Sequence, residues 1–216
     1  DNNGNVYVTG KGSFTSGAPF DYVTVKYNSA GNEQWNVRYN GAGSQSDAAN
    51  CITADANGNI YVGGGSWGGA ANGYDFAAVK YNSAGVQQWV KNYNFSTTDY
   101  IYSIAADDSA NIYVSGYDGA YKTIKYSSAG TELWNMRFTD GSVSNDYFPI
   151  VRIDQQNNVY VSGSSIVSSQ NSYDYTVIKY SQATGIQIIN SEVPKEFSLE
   201  QNYPNPFNPT TKIHFS

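Results

Sequence analysis

The segment DANGNIYVGG, residues 55–64, decides the fold, because its pattern occurs at three other places in the chain. The other copies are DNNGNVYVTG (1–10), DDSANIYVSG (107–116) and DQQNNVYVSG (154–163). A second block follows each copy and reads DFAAVKYNSAGVQQW (75–89) in the second unit. Four copies of a unit of roughly 50 residues are typical of a propeller or a solenoid array.

Turn residues divide each unit into four short runs. The runs are rich in Val, Ile and Tyr, which favours strands over helices, and turns such as DANG and NSAG contain residues that tolerate positive φ. In the second unit the expected strands are residues 48–54, 59–63, 75–81 and 88–93. The sequence therefore predicts an all-β fold, a β-propeller of four-stranded blades. The alternative is a β-solenoid, whose coils usually repeat at a shorter period.

The repeats extend over residues 1–190, in units that start near residues 1, 47, 99 and 146. Units two to four each have a strand before the Asp-x-x-x-Asn turn (48–54, 100–106 and 147–153), whereas unit one has none. We therefore expect a fragment of a larger ring. The alternative is a closed ring of four blades, at the low end of the usual range of roughly 4–8.

Composition narrows the classes of partner. The formal charge is −6 and no basic stripe is present, so we do not expect nucleic acid as a partner. No run approaches the roughly 20 apolar residues of a membrane-spanning helix. Cys51 is the only cysteine, which excludes an internal disulfide and predicts a small buried thiol. We expect the chain to be a monomer.

The two repeated blocks resemble the bacterial SBBP-like β-propeller repeat family, whose units read Asp-x-x-Gly-Asn-x-Tyr-x-x-Gly and then Asp-x-x-x-x-Lys-Tyr-x-x-x-Gly-x-x-x-Trp. The resemblance covers residues 1 to 190, and Ala110 and Asn157 replace the turn glycine in units three and four. It implies an exported bacterial protein and no defined catalytic activity.

The repeat stops near residue 190, and a linker at 191–196 leads to a different segment, 197–216. The string EFSLEQNYPNPFNPTTKI (196–213) resembles the opening of the C-terminal sorting domain of type IX secretion substrates in the Bacteroidota. This resemblance implies the truncated start of a β-sandwich sorting domain, the secretion machinery as a partner, and a secreted or outer-membrane cell-surface location. The residues that match the opening motif are Phe197, Gln201, Asn202, Tyr203, Pro204, Asn205, Pro206, Phe207, Asn208 and Pro209.

Catalytic side chains are scarce in the repeats. His214 is the only histidine and follows the repeats, so they hold no Ser/His/Asp triad and no histidine-based metal cluster. Asp47, Asp99 and Asp146 each lie eight positions before a turn aspartate, and this regular recurrence predicts a structural role. We expect no enzymatic activity. The alternative is a glycan-active hydrolase or lyase that uses a carboxylate pair, with its site partly in missing blades.

The turn aspartates allow two interpretations. The expected one is an Asx-turn, in which the carboxylate accepts hydrogen bonds from turn amides. The alternative is a Ca²⁺ site in which Asp55, Asn57 and Asn59 supply oxygen ligands. Each turn offers few carboxylates, and Ser109 and Gln156 replace the Asn57 position in later units, so we expect no cofactor.

Two further residue types recur in the second block. A lysine precedes a tyrosine in every unit, and we expect it to pair with a carboxylate of the neighbouring blade or to pack on an aromatic ring. These lysines are Lys26, Lys80, Lys125 and Lys179. The tryptophans Trp35, Trp89 and Trp134 are expected to pack between blades.

Positions that do not recur are better candidates for function than scaffold positions. The connections between second and third strands vary most, at residues 11–20, 65–74, 117–119 and 164–173. If these loops are exposed, Trp67, Tyr74 and Tyr117 could stack on sugar rings or contact a protein. The sequence therefore predicts a secreted or cell-surface propeller that acts as a non-catalytic binding or scaffold module for a glycan or protein ligand.

Overall fold

The computed structural model describes residues 1–180, apart from residues 44, 71–72, 96–97, 140–147 and 168–171. All helix and strand assignments in these ranges are β-strands, as composition predicts. No helix within them could cross a membrane. The predicted linker, the sorting segment 197–216 with its motif residues, and the fourth strand of the last unit lie outside the described residues.

The described strands form four antiparallel sheets, and consecutive strands pair within each sheet. Blade 1 contains β1 (Val6–Gly12), β2 (Asp21–Tyr27) and β3 (Glu33–Tyr39). Blade 2 contains β4 (Ala48–Ala54), β5 (Ile60–Gly69), β6 (Gly73–Tyr81) and β7 (Gln87–Tyr93). Blade 3 contains β8 (Tyr100–Ala106), β9 (Ile112–Tyr117), β10 (Tyr121–Tyr126) and β11 (Glu132–Phe138). Blade 4 contains β12 (Ile150–Ile153), β13 (Val159–Val167) and β14 (Ser172–Tyr180).

The blades follow one another around an inner edge. The first strand of blade 3, β8, contacts the first strands of blades 2 and 4, which are β4 and β12, and β1 contacts β4. Among the strands of the described residues, none pairs with the outer side of β1, as the sequence predicts. The prediction of an all-β propeller with four-stranded blades is confirmed.

One strand prediction is wrong in a way that matters for the site. The segment 65–74 was expected to be a loop, but β5 continues to Gly69 and β6 begins at Gly73. Glycine within a strand often marks a place where another group comes close. Gly65 does so here, because a side-chain carbon on Gly65 would overlap the ring of Tyr100. Trp67 and Tyr74 therefore lie in strands, and Tyr117 is the last residue of β9 rather than part of a loop.

The repeated Asp-x-x-x-Asn-x-Tyr pattern forms one hydrogen-bonded turn. Asp55 accepts bonds from the backbone N–H groups of Asn57 and Asn59, both at 2.9 Å, from Asn59 Nδ2 at 2.8 Å and from the Tyr61 hydroxyl at 2.9 Å. The same bonds recur at Asp1, Asp107 and Asp154. The predicted Asx-turn is confirmed, and it explains why Asp, Asn and Tyr recur together.

The fourth turn residue requires a left-handed backbone. Its φ is +75° at Gly4, +77° at Gly58, +59° at Ala110 and +61° at Asn157. Glycine adopts this conformation without a steric penalty and asparagine tolerates it, whereas alanine is strained there. The turn therefore keeps its shape in units three and four although the glycine is lost.

A lysine and a tryptophan of one blade both bind a turn carbonyl of the next. Lys80 Nζ and Trp89 Nε1 donate to the Ser128 carbonyl at 2.8 Å and 3.1 Å. Lys26 Nζ and Trp35 Nε1 donate in the same way to the Ser83 carbonyl, at 3.3 Å and 3.1 Å. The ring of Trp134 packs on Tyr180 of blade 4, with centres 5.5 Å apart. The expected packing of the three tryptophans between blades is confirmed.

The recurring lysines also pack on rings of their own blade. Lys80 Nζ lies 5.2 Å from the centre of the Tyr61 ring, and the other three units repeat this contact. Packing on an aromatic ring is thus confirmed. The partner seen for Lys80 in the next blade is a carbonyl rather than the expected carboxylate, and Lys125 lies 3.8 Å from Asp107 of its own blade.

Candidate functional site

Five aromatic rings form a continuous row from blade 2 across blade 3 to the start of blade 4. Neighbouring ring centres are separated by 5.3, 5.0, 6.2 and 4.8 Å. We call this row the aromatic strip; in order, it contains Trp67, Tyr74, Tyr100, Tyr102 and Phe148. Four of its members are half-buried and Phe148 is 61% exposed.

The β5–β6 hairpin positions the blade 2 end of the strip. Trp67 and Tyr74 are cross-strand partners near its tip, and their rings meet edge to face. The carbonyl of Tyr74 accepts a 2.6 Å hydrogen bond from the backbone N–H of Asp99. This bond brings the start of β8 against the hairpin, so that the ring of Tyr100 stacks on Tyr74 and lies over Gly65.

Tyr102 owes its position to a β-bulge in the inner strand of blade 3. Ile101 pairs with Gly116 and Ser103 pairs with Ser115, so the register of the ladder shifts at Tyr102. The same irregularity occurs in β4 at Asn50, which is exposed. Bulges of this kind redirect a side chain and are common next to functional sites.

Phe148 ends the strip in an unusual backbone conformation. Its φ is +60°, a region that bulky residues rarely adopt. Its ring meets that of Tyr102 edge to face at 4.8 Å. Strained residues of this kind cluster at ligand-binding sites, and this one presents a large apolar surface to solvent.

Tyr100, in the middle of the strip, is uncharged at neutral pH. Burial, the neighbouring Tyr74 and Tyr102, and a hydrogen bond with Tyr74 raise the pKa of Tyr100 well above its ordinary value. Its hydroxyl therefore stays protonated. The strip offers apolar ring surface together with neutral hydroxyl groups, a combination that suits amphipathic ligands.

The carboxylates close to the strip have partners. Burial raises the pKa of Asp75, whose Oδ1 accepts a hydrogen bond from Asn94. Burial likewise raises the pKa of Asp118, whose Oδ1 accepts a 2.9 Å hydrogen bond from Arg137 Nε. Asp99 accepts a 2.8 Å bond from the backbone N–H of Phe95.

The aspartates that precede the turns hold backbone in place. Asp47 is buried and accepts bonds from the backbone N–H groups of Gly41, at 2.7 Å, and of Trp67, at 3.0 Å. Asp99 is fully buried and holds Phe95 in the same manner. The predicted structural role is confirmed for both, and Asp146 lies outside the described residues.

The candidate calcium ligands lie away from the strip. Although burial raises the pKa of Asp55, hydrogen bonds from Asn59, Tyr61 and Asn57 more than offset this and lower it below its ordinary value. In the described ranges, no three His, Cys, Asp or Glu side chains lie together as a metal-binding group. Since four hydrogen bonds already use the Asp55 oxygens, a cation would have to displace protein donors there.

Two of the three aromatic residues singled out in the sequence belong to the strip. Trp67 and Tyr74 do, whereas Tyr117 takes part in none of the ring contacts found in the described part of the chain. Sequence reasoning missed Tyr100, Tyr102 and Phe148. A comparison of aligned units would have found Tyr102, because the other units have Asn50 and Pro149 at its position.

Comparisons with known proteins identify no family for the chain. No family model matches it, and no curated protein matches its sequence. One similar solved structure is a protein of unknown function from Bacteroides caccae, with 13% identity and a TM-score of 0.45 over 86% of this chain and 62% of that one. Another is BamB from Moraxella catarrhalis, with 12% identity and a TM-score of 0.45 over 76% of this chain and 50% of that one. The chain thus spans less than two thirds of either structure.

Proposed function

We propose that this chain is a non-catalytic binding module of a secreted or cell-surface propeller, and that its aromatic strip binds a glycan. The observation that carries the proposal is the unbroken row of five rings, three of which, those of Trp67, Tyr102 and Phe148, have no aromatic counterpart in the other units. Scaffold positions recur in this chain, so the rings at these three non-recurring positions are best explained by a ligand.

Sugar rings suit this surface for a physical reason. The C–H face of a pyranose packs on an aromatic ring, while its hydroxyl groups bond to groups such as the tyrosine hydroxyls. The centres of neighbouring rings are 4.8 to 6.2 Å apart, so the rings can contact successive parts of a linear chain of sugars. Four of the rings, from Trp67 to Tyr102, lie on strands, so little ordering is needed on binding.

Binding of the purified 216-residue chain to a glycan array tests the proposal. For any glycan retained, we expect Tyr102→Asn, which copies Asn50 of blade 2, and Phe148→Ala each to weaken binding roughly tenfold. Leu133→Ala is the matched control, because Leu133 is 50% exposed but lies at the start of the outer strand β11. Binding that all three variants leave unchanged would refute the role of the strip.

One observation favours the alternative of a glycan-active enzyme. The raised pKa of Asp75, next to Tyr74 in β6, is a property of general acids in glycoside hydrolysis. Its hydrogen bond to Asn94 and the ion pair of Asp118 with Arg137 support structural roles instead. New reducing ends released from a bound glycan by the wild type, but not by Asp75→Asn, would favour the enzyme.

We further propose that the full protein is exported by type IX secretion through segment 197–216, on the resemblance of its NYPNPFNP motif (202–209) alone. The test is surface display in a bacterium that has this pathway, with the motif intact and with Asn205→Ala and Pro206→Ala together. Retention in the periplasm of the altered protein only would support export by this route. Equal display of both forms would exclude a role for the motif.

A further inference from the structure

The junction between blades 1 and 2 is built like the junction between blades 2 and 3, which carries the aromatic strip. The carbonyl of Phe20 accepts a 2.6 Å hydrogen bond from the backbone N–H of Asp47. The carbonyl of Tyr74 accepts the same bond from the backbone N–H of Asp99, also at 2.6 Å. Phe20 is therefore the counterpart, in blade 1, of the strip residue Tyr74.

The residues around these two rings differ between the junctions. In the strip, the ring of Tyr100 stacks on Tyr74 with centres 5.0 Å apart and occupies the space that Gly65 leaves. At the position of Gly65, blade 1 has Lys11. At the position of Tyr100, blade 2 has Ala48, whose side chain is too small to cover a ring. The small and the large residue are thus exchanged between the two blades that meet.

An ammonium group takes the place of the absent ring. Lys11 Nζ lies 5.2 Å from the centre of the Phe20 ring, within the range of a cation–π contact. Both side chains are exposed, and Phe20 is 43% exposed. Among the described residues, the ammonium group has no hydrogen bond and no ion pair. Its N–H donors are therefore available to a ligand.

The Lys11–Phe20 pair lies on the side of blade 1 that faces blade 2. Lys11 is the cross-strand partner of Tyr22, and cross-strand partners point to the same face of a sheet. Tyr22 is fully buried, and its hydroxyl donates to the carbonyl of Ala77 in blade 2 at 3.3 Å. The pair therefore belongs to the junction of blades 1 and 2 and not to the outer side of blade 1.

Asp47 connects this pair to the aromatic strip. Its backbone N–H bonds to Phe20, and its Oδ1 accepts a 3.0 Å hydrogen bond from the backbone N–H of Trp67, the first residue of the strip. Two hydrogen bonds through a single residue thus link Phe20 to Trp67. The pair therefore lies at the blade 1 end of the strip.

The carboxylates that flank the pair do not present free negative charge. Asp47 and Asp21 are each 1% exposed. Asp47 accepts hydrogen bonds from two backbone N–H groups, and Asp21 forms an ion pair with Arg38. The exposed charge beside Phe20 is therefore that of the Lys11 ammonium group.

We propose that the strip continues onto Lys11 and Phe20, and that the glycan it binds is acidic, with a carboxylate or sulfate group held by the Lys11 ammonium group. The inference rests on the proposed function, because it names the class of glycan that the strip takes. The acidic group would accept charge-assisted hydrogen bonds from Nζ, while the sugar that carries it packs beside Phe20. Since the net charge of −6 repels an anionic ligand, a local cation is needed to hold one.

A glycan array that pairs acidic glycans with neutral counterparts tests the inference on the full chain. The pairs are oligomers of galacturonic acid with their methyl esters, and sulfated oligosaccharides with the same oligosaccharides lacking sulfate. We expect the retained glycans to be acidic and to bind at least roughly tenfold more tightly than their counterparts. The preference should decrease as salt is added, because salt screens exposed charges. Whether the esterified or the unsulfated counterpart loses binding identifies the acidic group as carboxylate or sulfate.

Variants at Lys11 assign the preference to this group. Lys11→Met keeps the stem of the side chain but removes its charge, so it should weaken binding of the acidic glycan roughly tenfold and leave its neutral counterpart unaffected. Lys11→Arg should retain binding of the acidic glycan. Lys91→Met is the matched control, because it removes the same charge from the outer strand β7, where the side chain lies near Gly130 in the β10–β11 turn.

The outcomes separate this inference from the proposed function. Retention of neutral glycans alone, or equal binding of an acidic glycan by the wild type and Lys11→Met, would overturn the role of Lys11 and leave the strip as a glycan site. Retention of no glycan would refute glycan binding by the strip and the inference with it. An acidic preference that Lys11→Met abolishes and Lys91→Met preserves would support the inference.

Discussion

The ring of Tyr121 in blade 3 lies directly against Gly163 of blade 4, so that a side-chain carbon built on Gly163 would come within 2.5 Å of the ring carbon that bears the hydroxyl. The hydroxyl itself donates to the neighbouring carbonyl of Ser164. The repeat glycine is therefore needed for the space it leaves, because its φ is not in the left-handed region. This relationship yields a stability prediction with an internal control.

We expect Gly163→Ala to lower the free energy of unfolding by about 1–3 kcal/mol, because the methyl group would overpack the space that the Tyr121 ring already fills. Gly10→Ala is the matched substitution, since nothing lies within 4 Å of the added carbon. In the monomer it should be neutral or stabilising by about 0.4–1 kcal/mol, through reduced freedom of the unfolded chain. Urea denaturation at low protein concentration measures both changes, and equal effects would contradict the role given to the Tyr121–Gly163 contact.

The sequence predicts the blades better than it predicts the site. Period and turn chemistry locate the strands 48–54 and 100–106 at the bounds of β4 and β8. They miss the long β5–β6 hairpin, because a run of glycines is typical of a loop. Its place in a strand is explained only by the ring of Tyr100, which occupies the space that Gly65 leaves. Tyr102 is missed for a similar reason, since a bulge depends on pairing between strands.

The second prediction concerns the lysines between blades. Lys80→Met keeps the apolar stem but removes the 2.8 Å hydrogen bond from Nζ to the Ser128 carbonyl, so we expect it to cost about 1–2 kcal/mol. Lys26→Met is the matched control, because its bond to the Ser83 carbonyl is longer, at 3.3 Å, and more exposed. It should cost less than about 1 kcal/mol. A larger effect at Lys26, measured by urea denaturation, would refute this account.

The third prediction concerns acid stability. Because hydrogen bonds lower the pKa of Asp55 in the folded chain, its ionised form contributes stability above the unfolded value of about 3.9, and this contribution is lost as the pH falls through the folded value. Asp55→Asn should therefore be less stable than the wild type at pH 7, and the difference should shrink below about pH 4. Urea midpoints from pH 7 to pH 2.5 measure this. Asp108→Asn is the control, because Asp108 is an exposed turn residue. It should change neither the stability at pH 7 nor its dependence on pH.

The fourth prediction uses Cys51 as a reporter of blade 2. Burial raises the pKa of its thiol to about 12, although an interaction with the backbone of Gly63 opposes part of this rise. The thiolate is the reactive form, so alkylation by iodoacetamide at pH 8 should be very slow in the folded chain. Because the pKa returns towards about 8.5 on unfolding, urea should accelerate the reaction in step with the loss of structure. Gly163→Ala, which strains blade 4, should accelerate alkylation only if blades 2 and 4 unfold as one unit. Rapid labelling of the native wild type would show instead that β4 opens by itself.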